Sequence, residues 1–257
     1  MIHSDIVNPF GAPVYHEETL ASTMDYGRVL AGRGEKHGTV IVADFQEAGR
    51  GRLNRPWIVE KGKNLIVTIL LRYADIASIP QALPLRTGLA VAIAIGDLIP
   101  SLSPRVKVKW PNDIMIGDRK ASGILIEGDG KNVFAGIGVN VGQRDFPPDL
   151  QSKAVSLANA CPDLPENARF LLLEKILRRL YEEIETDPFS LSWRERLLSR
   201  LYKKDEIVTF VPGAAGSNTL IQGTLAGIGE AGELLIIPGG EDKARAFING
   251  ELRVYRH

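Results

Sequence analysis

The stretch "RVKVKWPNDIMIGDRKASGILIEGDGKNVFAGIGVNVG", residues 105–142, says most about the fold. It contains the alternating run "RVKVKW" (105–110) and the apolar runs "ASGILIEG" (121–128) and "VFAGIGVNVG" (133–142), separated by the turn sequences "GDRK" and "GDGK". Alternation, and short apolar runs bounded by turn residues, are typical of β-strands. The stretch therefore predicts a set of short strands joined through turns.

The same signals continue upstream. "TVIVADFQ" (39–46) and "NLIVTILLR" (64–72) are buried apolar runs and predict two further strands. "ASTMDYGRVLAG" (21–32) predicts a helix, because Ser22 is a good N-cap and Asp25 completes an S-x-x-D box. Strands mixed with a few helices favour an α+β fold over a doubly wound sheet.

Helices are predicted on both sides of the quoted stretch. Upstream of it, residues 84–99 are periodic, but the pattern does not by itself separate a helix from a strand; their length favours a buried helix. Residues 143–165 contain several prolines and predict a loop, whereas 166–185 and 191–201 predict helices.

The character of the sequence changes near residue 203. From Asp205 onward, short apolar runs alternate with many glycines, which predicts a small all-β module of four or five strands. We therefore predict two domains, residues 1–203 and residues 204–257.

Composition excludes several classes of protein. The 257 residues hold 31 Lys+Arg and 31 Asp+Glu, which argues against non-specific binding to nucleic acid. Cys161 is the only cysteine, so no intrachain disulfide can form, and the four histidines show no metal-ligand spacing. The first residues do not resemble a signal peptide, and no apolar stretch reaches the ~18 residues of a membrane span. We expect a cytoplasmic protein that does not bind membranes.

"GRGRLNRPW", residues 49–57, concentrates positive charge in this balanced chain. Gly49 and the second glycine of this stretch let the backbone approach a ligand closely, because glycine has no side chain. Arg50 and Arg52 carry planar donor groups that suit carboxylate and phosphate oxygens, and Trp57 offers a flat apolar face. The stretch suits an acid beside a phosphate; a solvated basic turn is the alternative.

Three more stretches carry polar residues at the ends of predicted strands. "KWPND" (109–113) presents Lys109, Asn112 and Asp113, although an ordinary turn explains it equally well in isolation.

"RKASGILIEG" (119–128) places Lys120 before a strand in which Gly123 leaves room for a ligand. "GIGVN" (136–140) ends in Asn140, which suits either a base edge or a turn. The alternative for Lys120 is a solvated side chain, which is the more common state of a lysine that precedes a strand.

Taken in order, these motifs closely resemble the signature of biotin–protein ligases, also called biotin–[acetyl-CoA-carboxylase] ligases. The resemblance covers roughly residues 15–200, and the tail resembles the family's SH3-like C-terminal domain. It implies a mixed-sheet, class II synthetase-like catalytic domain followed by a small SH3-like β-barrel. The matching stretches are "STMD" (22–25), "Q-x-x-GRGRLNRPW" (46–57), "KWPND" (109–113), "RKASGILIE" (119–127) and "GIGVN" (136–140).

The resemblance implies a two-step reaction. ATP and biotin give biotinyl-5′-AMP and pyrophosphate, and a lysine of the biotin carboxyl carrier protein then attacks the mixed anhydride. The first step brings two anions together, and at ~4 Å their repulsion is several kcal/mol at protein-like dielectric. Fixed cations reduce this repulsion and stabilise the developing charge, which accounts for the arginines.

The resemblance also implies roles for individual residues. Lys120, Arg50 and Arg52 are the expected catalytic residues, with Lys120 bridging the biotin carboxylate and the α-phosphate. The expected biotin-binding residues are Ser22, Thr23, Gln46, Gly49, Arg50, Trp57, Lys120, Gly123 and Leu125. The expected ATP-binding residues are Arg50, Arg52, Arg55, Lys109, Asn112, Asp113, Lys120 and Asn140. Mg²⁺ is expected beside the nucleotide, with no ligand assigned.

Some features depart from the family pattern. Met24 stands where the family often has asparagine, and Pro56 where it often has lysine. Because the matching sequence begins near residue 15, we expect no N-terminal winged helix-turn-helix and no DNA binding. The resemblance also implies that two copies can pair through sheet edges.

Three other functions compete with this interpretation. A lipoate–protein ligase or octanoyl transferase has a related fold, but "KWPND" with "KASGILIE" favours biotin. A non-enzymatic biotin sensor would be marked by Met24 and Pro56, yet Lys120 and the arginines are retained. An RNA-binding protein would show a basic excess and aromatic clusters, and this chain has neither.

Overall fold

The computed structural model of the protein describes residues 5–186, 188, 190–213 and 219–253; the outer ends of the two predicted domains lie outside these ranges. Its largest element is a seven-stranded sheet with the order β1-β2-β3-β7-β6-β5-β4. β1 and β2 are parallel, and all other neighbouring strands are antiparallel. The strands are β1 (Val14–Leu20), β2 (Thr39–Gln46), β3 (Leu65–Arg72), β4 (Val106–Lys109), β5 (Asp113–Ile116), β6 (Arg119–Gly128) and β7 (Asn132–Val139).

All five strands predicted in this sheet are present, and the predicted α+β class is confirmed. Two strands were missed, for different reasons. β1 lies at the sheet edge and buries only Val14, so it has no apolar run to reveal it. β5 has only four residues and follows the "PND" turn directly, too short for periodicity to register.

Five α-helices accompany the strands in the described part of the chain. They are α1 (Thr23–Gly32), α2 (Leu83–Leu98), α3 (Leu157–Ala160), α4 (Ala168–Tyr181) and α5 (Ser192–Arg200). The predicted N-cap is confirmed, because the Ser22 hydroxyl accepts a hydrogen bond from the Asp25 backbone N–H at 3.3 Å. α3 was missed; it is a single turn within the predicted loop, capped by Ser156.

The length argument against a membrane span was wrong for one segment. Ile76–Leu98 is long and apolar enough to cross a membrane by length and composition alone. However, 72% of its most apolar window is buried inside the protein, where α2 packs against α4 and the sheet. The burial of α2 accounts for its apolar composition.

The two faces of the large sheet are covered differently. α2 and α4 belong to the main core on one face, together with Ala135 and Ile137 of β7. α1 lies on the opposite face, where Met24 packs with Phe134. This second face, beyond α1, holds the residues of the candidate site.

The tail forms a second, five-stranded antiparallel sheet with the order β11-β10-β9-β8-β12. Its strands are β8 (Ile207–Pro212), β9 (Ile221–Ile228), β10 (Leu234–Pro238), β11 (Arg245–Phe247) and β12 (Gly250–Arg253). This agrees with the predicted small SH3-like unit, although the described residues include no strand pair that closes a barrel. Phe210 and Leu234 belong to the main core, so the two sheets pack together.

Trp110 joins the two sheets. It is buried, its indole Nε1 donates to the Gly232 carbonyl at 3.0 Å, and its ring meets Phe210 edge-on at 6.0 Å between centroids. The tryptophan of "KWPND" therefore packs in the core, while the polar residues after it face the site.

We expect Arg196→Met to lower the free energy of unfolding by about 2–3 kcal/mol. Arg196 donates at 2.5 and 3.1 Å to both carboxylate oxygens of Glu183, which is 2% exposed and whose pKa is raised by burial. The loss is smaller than the ~3–5 kcal/mol of a fully buried pair, because Arg196 is itself half-exposed and the Arg86 guanidinium also faces Glu183. Urea denaturation measures the change. Arg178→Met is the matched control, because Arg178 is exposed and forms an ion pair with the exposed Glu182 on the helix surface. Equal losses in both variants would contradict the prediction.

Candidate functional site

The loop that contains "GRGRLNRPW" folds back on itself as a narrow hairpin. The Trp57 N–H donates to the Gly49 carbonyl at 3.0 Å, and the Gly51 N–H donates to the Arg55 carbonyl at 2.8 Å. Leu53 turns the chain at its tip with φ 58°, a left-handed conformation that is uncommon for leucine. We call residues 49–57 the arginine loop.

The first two arginines of the loop contact residues from different elements of the fold. Arg50 Nη2 lies 3.3 Å from Asp25 Oδ1 on α1 and 3.7 Å from Glu127 Oε2 on β6. Arg52 Nη1 donates to Asn112 Oδ1 at 3.4 Å. Both guanidinium groups therefore have protein acceptors, whereas the prediction gave them phosphate oxygens.

Arg55 reaches the other sheet. Its Nη1 and Nη2 donate to the two carboxylate oxygens of Glu251 on β12, each at 3.1 Å. This two-bond pairing raises the pKa of Arg55 and lowers that of Glu251. The arginine loop is thus linked to α1, to the end of β4 and to the C-terminal sheet.

Two glycines, Gly123 and Gly138, lie beneath Trp57, and we call them the glycine floor. Gly123 of β6 and Gly138 of β7 are paired in register. A Cβ atom at Gly138 would lie 2.7–2.9 Å from three indole atoms of Trp57, and one at Gly123 would lie 3.3 Å from Trp57 Cζ3. The room predicted at Gly123 exists, but the side chains of Trp57 and Lys120 fill it.

The indole of Trp57 has an unsatisfied donor. Among the described residues, its buried Nε1 has no hydrogen-bond partner. Buried N–H groups are normally paired, and leaving one unpaired costs about 1–3 kcal/mol. A ligand with an acceptor at this position would remove that cost.

Lys120 lies at the centre of the site. Its Nζ is 2.5 Å from Asp113 Oδ1 and 5.6 Å from the centroid of the Trp57 ring, within cation–π range. Lys109 is paired in register with Asp113 on the β4–β5 hairpin. Burial lowers the pKa of Lys109, and the nearby Lys120 lowers it further, while Asp113 opposes the shift. Two lysines beside one carboxylate leave excess positive charge, which suits an anionic ligand.

A second polar group lies where α1 begins. The backbone N–H and hydroxyl of Thr23 both donate to Gln46 Oε1, at 2.6 and 2.9 Å. The Thr23 hydroxyl also lies 2.9 Å from that of Thr68 on β3. Ser22 is buried and caps α1. These groups form a compact set of donors and acceptors at one end of the glycine floor.

Apolar side chains close this end of the site. Met24 Cε lies only 2.8 Å from where a Gly136 Cβ would be, so the methionine rests directly on β7. Leu125 packs against the same cluster. Gly49 has no room for a side chain, since its Cβ would be 2.9 Å from Gln46 Nε2.

The two predicted asparagines both bind the protein. Asn112 Nδ2 donates to the Ile124 carbonyl at 2.6 Å, which fixes the turn after β4 beside β6. Asn140 is buried at the end of β7, and its Nδ2 donates to the Val155 carbonyl at 3.3 Å. The structure therefore gives both residues a structural role.

Sequence reasoning missed several residues of the site. Thr68 interrupts the apolar run of β3, and Gly136 and Gly138 alternate on one sheet face, so both signals were present. The sequence around Glu127 and Glu251 contains no pattern that would point to a role in the site. Each meets its arginine only because distant strands come together in the fold.

The site does not form a metal centre by itself. The described residues contain no group of three His, Cys, Asp or Glu side chains that could hold a metal ion. Asp113 is the carboxylate closest to Lys120, and its Oδ1 is already engaged by that lysine. These residues do not fit a resident metal ion.

Comparison with known proteins gives consistent matches. A family profile described as "Biotin/lipoate A/B protein ligase family" matches residues 19–143. The "Bifunctional ligase/repressor BirA" of Bacillus subtilis is 36% identical over 163 residues, 60% of this chain and 49% of that protein. The chain therefore spans about half the length of that relative.

Two further proteins match over a larger share of their length. The "Biotin--[acetyl-CoA-carboxylase] ligase" of Paracoccus denitrificans is 30% identical over 205 residues, 76% of this chain and 82% of that protein. The structure of a biotin protein ligase from Aquifex aeolicus, in complex with biotin and ATP, superposes with a TM-score of 0.79 at 26% identity, covering 95% of this chain and 99% of that one. With matching sequence over most of both chains and the same fold, the chain belongs to the biotin–protein ligase family.

Proposed function

We propose that the protein is an ATP-dependent biotin–protein ligase. It joins biotin to ATP as biotinyl-5′-AMP, releasing pyrophosphate, and then transfers biotin to a lysine of a biotin carboxyl carrier protein. The names of its relatives and the biotin and ATP bound to the Aquifex protein support this function. The observation that carries the proposal is the position of Lys120, over the glycine floor and beside the arginine loop.

Lys120 has the surroundings that the first step needs. Its ammonium group is positioned by Asp113 and Trp57, so it is a fixed cation at the centre of the site. We assign it to the biotin carboxylate and the α-phosphate, whose mutual repulsion it offsets. Arg50 and Arg52 are the other catalytic residues in this proposal; they exchange their present acceptors for phosphate oxygens.

The polar group at the start of α1 suits the ureido ring of biotin. Thr23 and Gln46 offer both donors and acceptors, with Ser22 next to them and the backbone of Gly49 above. Trp57, Gly123 and Leu125 supply apolar surface for the thioether ring and the valeryl chain.

For the nucleotide we assign six residues in addition to Arg50 and Lys120. Asn140 lies at the end of β7, where the adenine would reach it after its bond to Val155 is exchanged. The assigned residues are Arg52, Arg55, Lys109, Asn112, Asp113 and Asn140. Mg²⁺ enters as the complex with ATP, because the described side chains do not hold a metal ion unaided.

The remaining parts of the proposal concern the whole protein. We infer that residues 204–257 form a separate domain beside a catalytic domain of residues 1–203, and that the protein is cytoplasmic and does not bind DNA. A homodimer would form through a sheet edge such as β1.

Isotope exchange between pyrophosphate and ATP tests the function directly. With purified protein and Mg²⁺, we expect exchange with biotin and none with lipoate or without an acid. Exchange with lipoate alone would replace the proposal by lipoate ligation, which the shared family description also covers. Biotin binding without exchange would favour a biotin sensor, and would direct attention to Met24, which covers Gly136.

A further inference from the structure

One contact of the arginine loop comes from outside the large sheet. Glu251 lies on β12, 196 residues after Arg55, and binds both terminal nitrogens of its guanidinium. Both side chains are more than two-fifths exposed, so the pair is open to solvent and to solutes. The contact links the loop to the C-terminal sheet.

Glu251 faces the positive charges of the site. Besides Arg55, the nearby Lys109 and Arg52 also lower the pKa of Glu251. The nearby Asp113 also contributes, more weakly than Glu251, to raising the pKa of Arg55. Glu251 therefore places a negative charge from the C-terminal sheet among the cations that bind ATP in the proposed function.

We propose that Glu251 occupies Arg55 until the phosphates of ATP displace it, so that the C-terminal sheet acts as a latch on the arginine loop and weakens ATP binding. The proposal rests on the proposed function, since it takes ATP as the displacing ligand. Glu251 is a positioning residue in it, because it acts through Arg55.

Competition follows from the geometry of the pair. The end of a guanidinium formed by its two terminal nitrogens offers one pair of donors, which fits one carboxylate or one phosphate in the two-bond arrangement. Glu251 already uses both terminal nitrogens of Arg55, so a phosphate that binds at this end must break at least one of these bonds. Exposed ion pairs contribute little, so the latch is weak enough to open at ordinary ATP concentrations.

The test compares Glu251→Gln with Glu241→Gln. Glu241 is a matched control, because it lies next to the same C-terminal sheet and binds Arg245 by a similar exposed two-bond pair. We expect Glu251→Gln to lower the KM for ATP in biotin-dependent exchange, and the Kd of a non-hydrolysable ATP analogue, by about two- to five-fold. The KM for biotin stays unchanged, and Glu241→Gln changes neither constant.

A double variant separates the latch from a general charge effect. Arg55→Gln weakens ATP binding, and adding Glu251→Gln to it should have no further effect. The latch is wrong if Glu251→Gln leaves the ATP constants unchanged or raises them. The latch is equally wrong if Glu251→Gln improves ATP binding by the same factor in the Arg55→Gln background. Wild-type exchange that depends on biotin, together with either result, would reject the latch and keep the ligase; no wild-type exchange would reject the ligase itself.

Discussion

Replacing Lys120 by alanine is expected to lower the rate of biotin-dependent ATP–pyrophosphate exchange by about 10²–10³-fold. In the proposed reaction, this ammonium group is the fixed cation between two anions, and its place is defined by Asp113 at 2.5 Å and by the Trp57 ring. Water can enter the space left by the side chain but brings no positive charge. Initial exchange rates at saturating ATP and biotin measure the loss.

The fold should survive this change, because Lys120 is half-buried and Lys109 remains beside Asp113 as its partner in the β4–β5 hairpin. Lys107→Ala is a suitable control, since Lys107 lies on neighbouring β4 and its Nζ donates to the Ser199 carbonyl at 3.3 Å. We expect near wild-type exchange from the control and similar melting temperatures for both variants. Near wild-type exchange by Lys120→Ala would show that another group brings the anions together.

The second large effect is expected at the glycine floor. Gly138→Ala adds a methyl group 2.7–2.9 Å from Trp57 Cε2, Nε1 and Cζ2, closer than any ordinary contact. The indole must move away from the floor, and it carries the end of the arginine loop with it. Because displacements of ~1 Å in a site can cost 10²-fold in rate, we expect biotin activation to fall by about that factor.

Biotin titration and exchange kinetics on Gly138→Ala measure this effect. Gly32→Ala is the control, because a Cβ at Gly32, at the end of α1, meets no atom within 4 Å. The control should match wild type or be slightly more stable, as alanine is the better helix former. Wild-type biotin affinity in Gly138→Ala would mean that Trp57 can shift freely and that its position over the floor has no bearing on biotin.

Much of the fold could be predicted because its signals are local. The short apolar runs of β2, β3, β6 and β7, bounded by polar and turn residues, mark them as strands, and Ser22 with Asp25 marks the start of α1. β1 and β5 could not be found in this way. One is polar and lies at an edge, and the other is only four residues long.

The candidate site could be predicted as a set of residues but not as an arrangement. Glycine and arginine spacing points to an anion site near residues 49–57, and Lys120 follows from the family resemblance. The sequence does not show which acceptor each arginine takes in the folded chain. It also does not show that Trp57 lies on Gly138, because that contact depends on how the loop packs over β7.

The sequence by itself determined most strands of the large sheet, the start of α1, the balanced charge and the residue types of the site, because apolar runs and capping involve only a few neighbouring residues. Only the tertiary structure decided the pairing of Gly123 with Gly138, the ion pair between Lys120 and Asp113, and the contact of Arg55 with Glu251. These contacts join residues of different strands or loops, and the last of them joins the two sheets. They exist because burial of the shared core brings the strands that carry them together.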